Sequence, residues 1–323
     1  MDSTFTISLD FELNWGVFEK NIAFDKPYYF HNTRKVIPKL LALFEKYDVN
    51  VTWASVGMLF LQNKEEWLSH QPKHLPEYTN QNVSSYAWYT SHFSKPELEK
   101  LLFAPDLVKK ITETKGQELG THTYSHYYCL EQGQTVDDFN TDLSIAKKLA
   151  ADININLRSL VFPRNQLNHE YLKVCWDHGI TSVRSNPEVW YWKSDNKSTL
   201  AKKIFRTGDA YGIVPGETFY GADKIIKTPG LPIQIPASRF LRPYNDKYKI
   251  LNKLRLSHII NEMTKAAEKK KFYHLWWHPH NFGFFPEESY ADLEVILKHY
   301  AFLKNKFNMN SFTMSEIYDQ ISN

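Results

Sequence analysis

Residues 4–15 read TFTISLDFELNW and alternate without a break. Phe5, Ile7, Leu9, Phe11 and Leu13 fall on one face, and Thr6, Ser8, Asp10, Glu12 and Asn14 on the other. A period of two is that of a β-strand, so the stretch is predicted to be one strand with two carboxylates on a single side. Outward from it, 36–47 (VIPKLLALFEKY) sets apolar residues at helical spacing, and 50–56 (NVTWASV) is rich in β-branched and aromatic residues. The three pieces form a first β-α-β unit.

The alternation then repeats. A short helix is expected over 107–114, ending near Gly116, and an apolar stretch starting at 118–120 leads to His122. A helix over 137–152, a strand over 157–162, a helix over 169–178 stopped by Gly179 and a strand over 180–184 follow. Further on, 233–235 and 272–277 read as strands, and 251–271, 291–307 and 314–321 as helices. Repeated β-α units call for a mainly parallel sheet. No G-x-G-x-x-G, G-x-x-x-x-G-K-[ST] or G-x-S-x-G occurs, so open dinucleotide, P-loop and serine-hydrolase sheets lose their usual support and a barrel gains. Two stretches interrupt the pattern: 60–104 is polar and aromatic without a strand, and 207–248 is rich in glycine and proline. The first is expected to be an insertion or lid within a single domain spanning 1–323.

Composition narrows the function. Across 323 residues, 39 Lys+Arg against 36 Asp+Glu leave a formal charge of +3, too close to neutral to imply binding to nucleic acid or an anionic membrane through bulk charge. A hydrophobic share of 42% excludes disorder. Cys129 and Cys175 are too few for a disulfide scaffold and no C-x-x-C occurs, which points to a reducing, cytoplasmic setting. The N-terminus lacks a basic patch followed by an apolar run, and no window approaches the roughly 18 apolar residues of a transmembrane helix. Aromatic residues make up 15% of the chain; they serve a core, and they also stack on sugar rings.

Three His-x-x-x-His pairs occur, where 13 histidines scattered at random would give about half a pair. His70/His74 flanks Pro72 in the polar insertion and reads as surface. His274/His278 spans a strand, where the two rings stand too far apart for one metal. His122/His126 follows a strand end, and its spacing suits one face of a helical turn and a shared metal ion. A carboxylate from the Asp10/Glu12 pair would complete a three-ligand centre with room for water, and the other could accept a proton.

These residues resemble an ordered set of motifs. Ser8-Leu-Asp10-Phe-Glu12, then Gly120-Thr-His122-Thr-Tyr-Ser-His126, Phe162-Pro-Arg164 and Trp277-His278-Pro279 are similar, in order, to those of the polysaccharide deacetylase (NodB homology) family, over roughly 4–185 and 230–320. The 115–126 stretch matches most specifically. The resemblance implies an α/β fold of distorted (β/α) barrel type with seven parallel strands, and metal-dependent hydrolysis of N-acetyl groups on sugars. By position it makes Asp10 the base, Glu12, His122 and His126 the metal ligands, His278 the acid and Arg164 the residue holding the base. The family's adjacent aspartates are here separated by Phe11, so Asp10 and Glu12 could exchange roles. Arg164 follows Pro163 where the family has arginine two residues before proline, and Arg184-Ser-Asn186 stands where an acid usually orients the histidine.

The reading that follows is a metal-dependent carbohydrate N-deacetylase, with Zn²⁺ as the expected ion, serving surface-polysaccharide biosynthesis. A backbone N–H near Asn165 would stabilise the oxyanion, and Trp277 would meet the sugar. Six of eight arginines, Arg184 among them, fall between 158 and 242, which suits a negatively charged amino-sugar or glycan substrate. Hydrolysis of another C–N bond, in a ureide or formamide, and a catalytically silent carbohydrate-binding protein are the alternatives.

Overall fold

The structure, a computed structural model, describes residues 2–92, 95–187, 189–192, 199–214 and 216–322. Among the described residues, nine short strands form one sheet: β1 (Thr4–Phe11), β2 (Val51–Ser55), β3 (Gln117–Thr121), β4 (Ser159–Leu160), β5 (Ser182–Ser185), β6 (Ile233–Pro236), β7 (Arg239–Phe240), β8 (Phe272–Trp277) and β9 (Asn310–Ser311). Their order is β6-β5-β4-β3-β2-β1-β8-β7, every named pair is parallel, and β9 sits beside the start of β1. Only Ala237 and Ser238 separate β6 from β7. Ala237 N–H donates to Ser185 O and Ser238 N–H to His274 O, both at 2.8 Å. The run 233–240 therefore borders β5 with its first half and β8 with its second, closing the sheet into a barrel of seven strands when counted as one. The expected distorted (β/α) barrel is the observed one.

Every residue of β1 is buried, for two different reasons. Phe5, Ile7, Leu9 and Phe11 join a core with Ile37, Leu40 and Phe44 of the Pro27–Lys46 helix and Leu293, Ile296 and Tyr300 of the Pro286–Phe307 helix. Ser8 and Asp10 face inward, where they meet His274 and Arg184. Alternation thus separates a helix-packing face from a polar barrel interior.

The strand predicted over 4–15 stops at Phe11. Glu12 leaves the extended region, Leu13 takes a left-handed φ of 44°, and Leu13–Gly16 forms a 3₁₀ turn held by Trp15, whose indole N–H donates to Leu102 O at 2.7 Å. Glu12 consequently stands at the barrel mouth, one step beyond the strand that carries Asp10. Elsewhere the predicted elements appear with shifted ends. The first helix begins nine residues earlier, at Pro27, because Tyr29, Phe30 and Thr33 continue its buried face into a stretch too polar to read as helix. A helix over Leu200–Ala210 was not expected.

The 60–104 insertion holds no strand among its described residues; Phe93 and Ser94 lie outside them. Its aromatic residues pack inward. Trp67, Tyr86 and Tyr89 are buried and meet edge-on or tilted, and Leu98, Leu101 and Leu102 join the main core. The insertion builds a side wall behind Trp15.

Candidate active site

The C-terminal ends of β1, β4, β5 and β8 open into one cleft of about 530 Å³. Asp10, Glu12, Arg164, Asn165, His278 and His280 line it, with Trp192, Arg206 and Phe240 at its side. None of the described residues of 60–104 does.

Glu12, His122 and His126 meet at one point, with one ligand atom from each within 4.8 Å of the others. His126 Nε2 lies 3.0 Å and His122 Nε2 3.3 Å from the same oxygen, Glu12 Oε2. The helical turn expected for 122–126 is absent. The two rings are brought to 5.1 Å by a loop in which Thr123 (φ 65°) and His126 (φ 59°) are left-handed. Buried Asp142 pins that loop from the Val136–Asp152 helix: its carboxylate accepts from Tyr124 N–H (2.6 Å), Ser125 N–H (3.0 Å) and the Ser125 hydroxyl. Such strain persists only where surrounding bonds over-determine it. Gly16 completes the seat of Glu12, because a Cβ there would come within 1.8 Å of Glu12 Oε1.

The charge state of this cluster follows from its burial. Desolvation pushes the Glu12 carboxyl up, but the His278 charge and the contacts with His122 and His126 outweigh it and hold Glu12 well below the usual carboxylate range. Burial lowers His126, against the opposing pull of Glu12, so its imidazole is neutral near pH 7. His122 Nδ1 lies 2.8 Å from Val161 O, so a neutral His122 donating there would present Nε2 to Glu12 as a lone pair. That lone pair faces a carboxylate oxygen at 3.3 Å, an arrangement that calls for a proton or a cation between them. Two imidazole nitrogens and a carboxylate oxygen are a donor set suited to Zn²⁺ and similar divalent ions.

Asp10 is held apart from this cluster by Arg184. The guanidinium donates to both carboxylate oxygens, Nη1 to Oδ1 at 2.7 Å and Nη2 to Oδ2 at 2.8 Å. Nη1 also donates to Ser8 Oγ (3.0 Å) and Nη2 to Asn165 Oδ1 (2.8 Å), while the Trp276 ring lies 4.3 Å from the guanidinium. Burial alone would raise the Asp10 carboxyl; the Arg184 charge, aided by His122 and His278, reverses this and leaves it lowered. His278 Nε2 stands 3.6 Å from Asp10 Oδ2 and 3.6 Å from Glu12 Oε1, and the imidazole is a quarter exposed to the cleft.

Several expected roles move. Arg164, expected to hold the base, pairs instead with Glu19 (2.6 Å) and Glu131 (3.7 Å) over the Tyr128 ring, because Arg164 and Asn165 are both left-handed and turn that side chain to the cleft wall. Arg184, expected at the substrate, holds Asp10 with its side chain fully buried. Trp277 is buried on the helix side of β8 against Phe44 and Phe282; strand alternation sends Trp276 to the interior. Asn165 does line the cleft, but its own N–H donates to Phe162 O at 2.9 Å, away from any substrate. Among the clustered arginines, Arg158 pairs with Asp319 and Arg239 with Glu262 and Asp209, so ion pairing rather than ligand binding explains most of the cluster.

Two residues near His278 escaped the sequence reading. His280 is buried beside Glu12, with Nδ1 3.7 Å from Oε1, and burial pushes its pKa down to about 3 against the pull of Glu12. Asn281 Nδ2 lies 3.4 Å from His278 Nδ1, and Tyr29 OH donates to Asn281 Oδ1 at 3.4 Å. An amide NH₂ offered to Nδ1 leaves the proton on Nε2, pointing into the cleft. The His278-Pro-His280-Asn281 run was the available signal, since a proline between two histidines starts a tight turn.

Comparison with known proteins bears on the family and the fold. The polysaccharide deacetylase family profile matches residues 20–183. No curated protein matches the chain. Among solved structures, a candidate polysaccharide deacetylase from Mycobacterium smegmatis aligns with a TM-score of 0.61 at 12% identity, covering 100% of this chain and 91% of that one. The alpha-amylase AmyC from Thermotoga maritima aligns at 0.55 and 11% identity, covering 99% and 75%, and PuuE allantoinase at 0.54 and 10% identity, covering 98% and 89%. Likeness at these identities concerns the fold.

Proposed function

The chain belongs to the polysaccharide deacetylase family, and on that premise we propose that it hydrolyses the N-acetyl group of an amino sugar at a divalent metal ion, Zn²⁺ being the ion its ligands suit. The observation that carries this reading is the convergence of His122 and His126 on one oxygen of Glu12 while Arg184 keeps Asp10 out of the cluster. Glu12, His122 and His126 would hold the ion, which supplies Lewis acidity to the acyl carbonyl and acidity to a nearby water.

The chain's own groups do the rest. Asp10, kept anionic by Arg184, takes the proton of the attacking water. Glu12 is unsuited to that task, because both histidines already converge on its Oε2. His278, its Nε2–H aimed into the cleft by the Asn281 contact, delivers a proton to the departing amine nitrogen. Trp192 and Phe240 give the sugar apolar faces. Cytoplasmic surface-polysaccharide assembly is the setting we assign, supported by two free, buried cysteines.

The test is acetate release from a panel of N-acetyl amino sugars and their polymers, before and after metal depletion and with ion restored. Asp10→Asn is expected to retain metal and lose most turnover, and Glu12→Gln to lose metal. Hydrolysis of a ureide or formamide without acetate release would replace the reading with its enzymatic alternative, and sugar binding without hydrolysis would replace it with a silent binding protein.

A further inference from the structure

The Leu200–Ala210 helix, LAKKIFRTGDA, is turned inside out. Lys202 is buried at 7% exposure and Asp209 is buried too, whereas Leu200 is 74% and Ile204 60% exposed, one helical turn apart, with Phe205 beside them. A helix on a water-facing surface normally shows the opposite pattern. The apolar surface continues beyond its end. A Cβ on Gly212 would lie 2.5 Å from the His258 ring, so Gly212 sits against the Lys249–Glu268 helix at His258, and the exposed Ile213 is the next residue in the chain. Leu254 and Ile250, the latter 75% exposed, lie one and two turns before His258 on the same stripe. Arg242 joins the two helices, donating to Thr207 Oγ1 and accepting from Arg255.

Charge decides what this face fits. Lys203, Lys247, Lys249 and Lys253 are exposed around it, and Asp246 is the one exposed acid among the described residues of 199–214 and 242–257. A second copy docked on the same face would set these lysines against one another. An anionic surface would not. Exposed apolar side chains ringed by lysines are the composition that seats an amphipathic helix in a lipid interface. The face also adjoins the cleft, since Arg206 and Trp192 line the cleft while Ile204 points outward two residues from Arg206.

We propose that the apolar side of the Leu200–Ala210 helix, with Ile213, Ile250 and Leu254, seats the protein on an anionic lipid bilayer. No described helix is long and apolar enough to cross one, so the contact is peripheral. A cleft opening beside such a seat suits a glycan carried on a lipid. That extension rests on the deacetylase reading; bilayer binding does not, and it is read without turnover.

Flotation of the full chain with vesicles of phosphatidylcholine alone, or with phosphatidylglycerol added, tests the proposal. Wild type is expected to float with the phosphatidylglycerol vesicles and to dissociate as salt rises. Leu200→Ser/Ile204→Ser should weaken binding about tenfold or more, and Lys203→Glu/Lys253→Glu about fivefold or more per lysine. All four side chains are exposed, so both double variants should melt as wild type does, and a soluble N-acetyl sugar should be processed as before. Absence of flotation at any phosphatidylglycerol content, or equal flotation of wild type and both double variants, overturns the proposal. So does a wild-type dimer seen by light scattering that Leu200→Ser/Ile204→Ser converts to monomer.

Discussion

The two halves of the site are built on different principles. The half carried by the ends of β1 and β3 brings Glu12, His122 and His126 to a single oxygen, and its parts are short-range: a strained loop, one pinning carboxylate and one glycine. The half that β5 and β8 build against the inward face of β1 is a relay through the barrel interior, from Asp10 to Arg184 to Ser8 to His274. The first half keeps donor atoms in place for a cation. The second keeps a buried charge compensated, so its members answer for the fold as well as for proton transfer.

Breaking each half should therefore look different. Arg184→Met would leave Asp10 buried without its partner, at a cost of about 3–5 kcal/mol in unfolding free energy. His126→Ala should instead lower metal content and activity together while the urea midpoint moves little. If the two variants lose stability equally, the halves are not distinct in this way. His278→Ala should retain metal and slow amide cleavage by about 10²–10⁴-fold, with a smaller loss on an activated ester, whose leaving group needs little protonation. Equal losses on both substrates would remove His278 as proton donor. Gly16→Ala sharpens the comparison from the other side: a Cβ there collides with the Glu12 carboxylate, so metal affinity measured by chelator competition should fall about tenfold or more, with the barrel intact.

The same division explains what could be read from the sequence. The Glu12/His122/His126 half was legible because its members sit in short motifs: His122 and His126 are four residues apart, and Glu12 follows a clean alternation at β1. The barrel was legible for the related reason that strand and helix periods are local. Arg184 was misread because its partner lies 174 residues away, and no local pattern distinguishes an arginine that binds a ligand from one that holds a carboxylate. Trp276 and Trp277 differ only in strand parity, and choosing between them requires the face that β8 turns inward. The 60–104 stretch looked like a lid because it is polar and aromatic without a strand; in the structure Trp67, Tyr86 and Tyr89 pack against one another as part of a side wall.

The smallest expected effect comes from the far end of the relay. His274 is neutral in the folded protein: Nδ1–H donates to Pro236 O at 3.0 Å, and Nε2 accepts from the Ser8 hydroxyl at 2.8 Å, while Ser8 Oγ accepts from Arg184. Adding a proton would set a second hydrogen against Ser8 and a cation near Arg184. Burial, reinforced by the Arg184 charge and opposed by the Pro236 carbonyl and Asp10, pushes the pKa from 6.5 down to about 3. Between those values the unfolded chain binds the proton and the folded one does not. Stability thus falls as pH drops below about 6.5, by at most about 1.4 kcal/mol per pH unit from this group, and is flat above it. His280 and His126 add slopes of the same sign to the wild type, so the difference between two proteins isolates His274. His274→Asn keeps a donor for Pro236 and removes the titration. It should be less stable than wild type at pH 7.5 and should lose less on going to pH 5.5. Urea unfolding at both pH values reads the two slopes, and parallel slopes would mean that His274 carries its proton in the folded barrel.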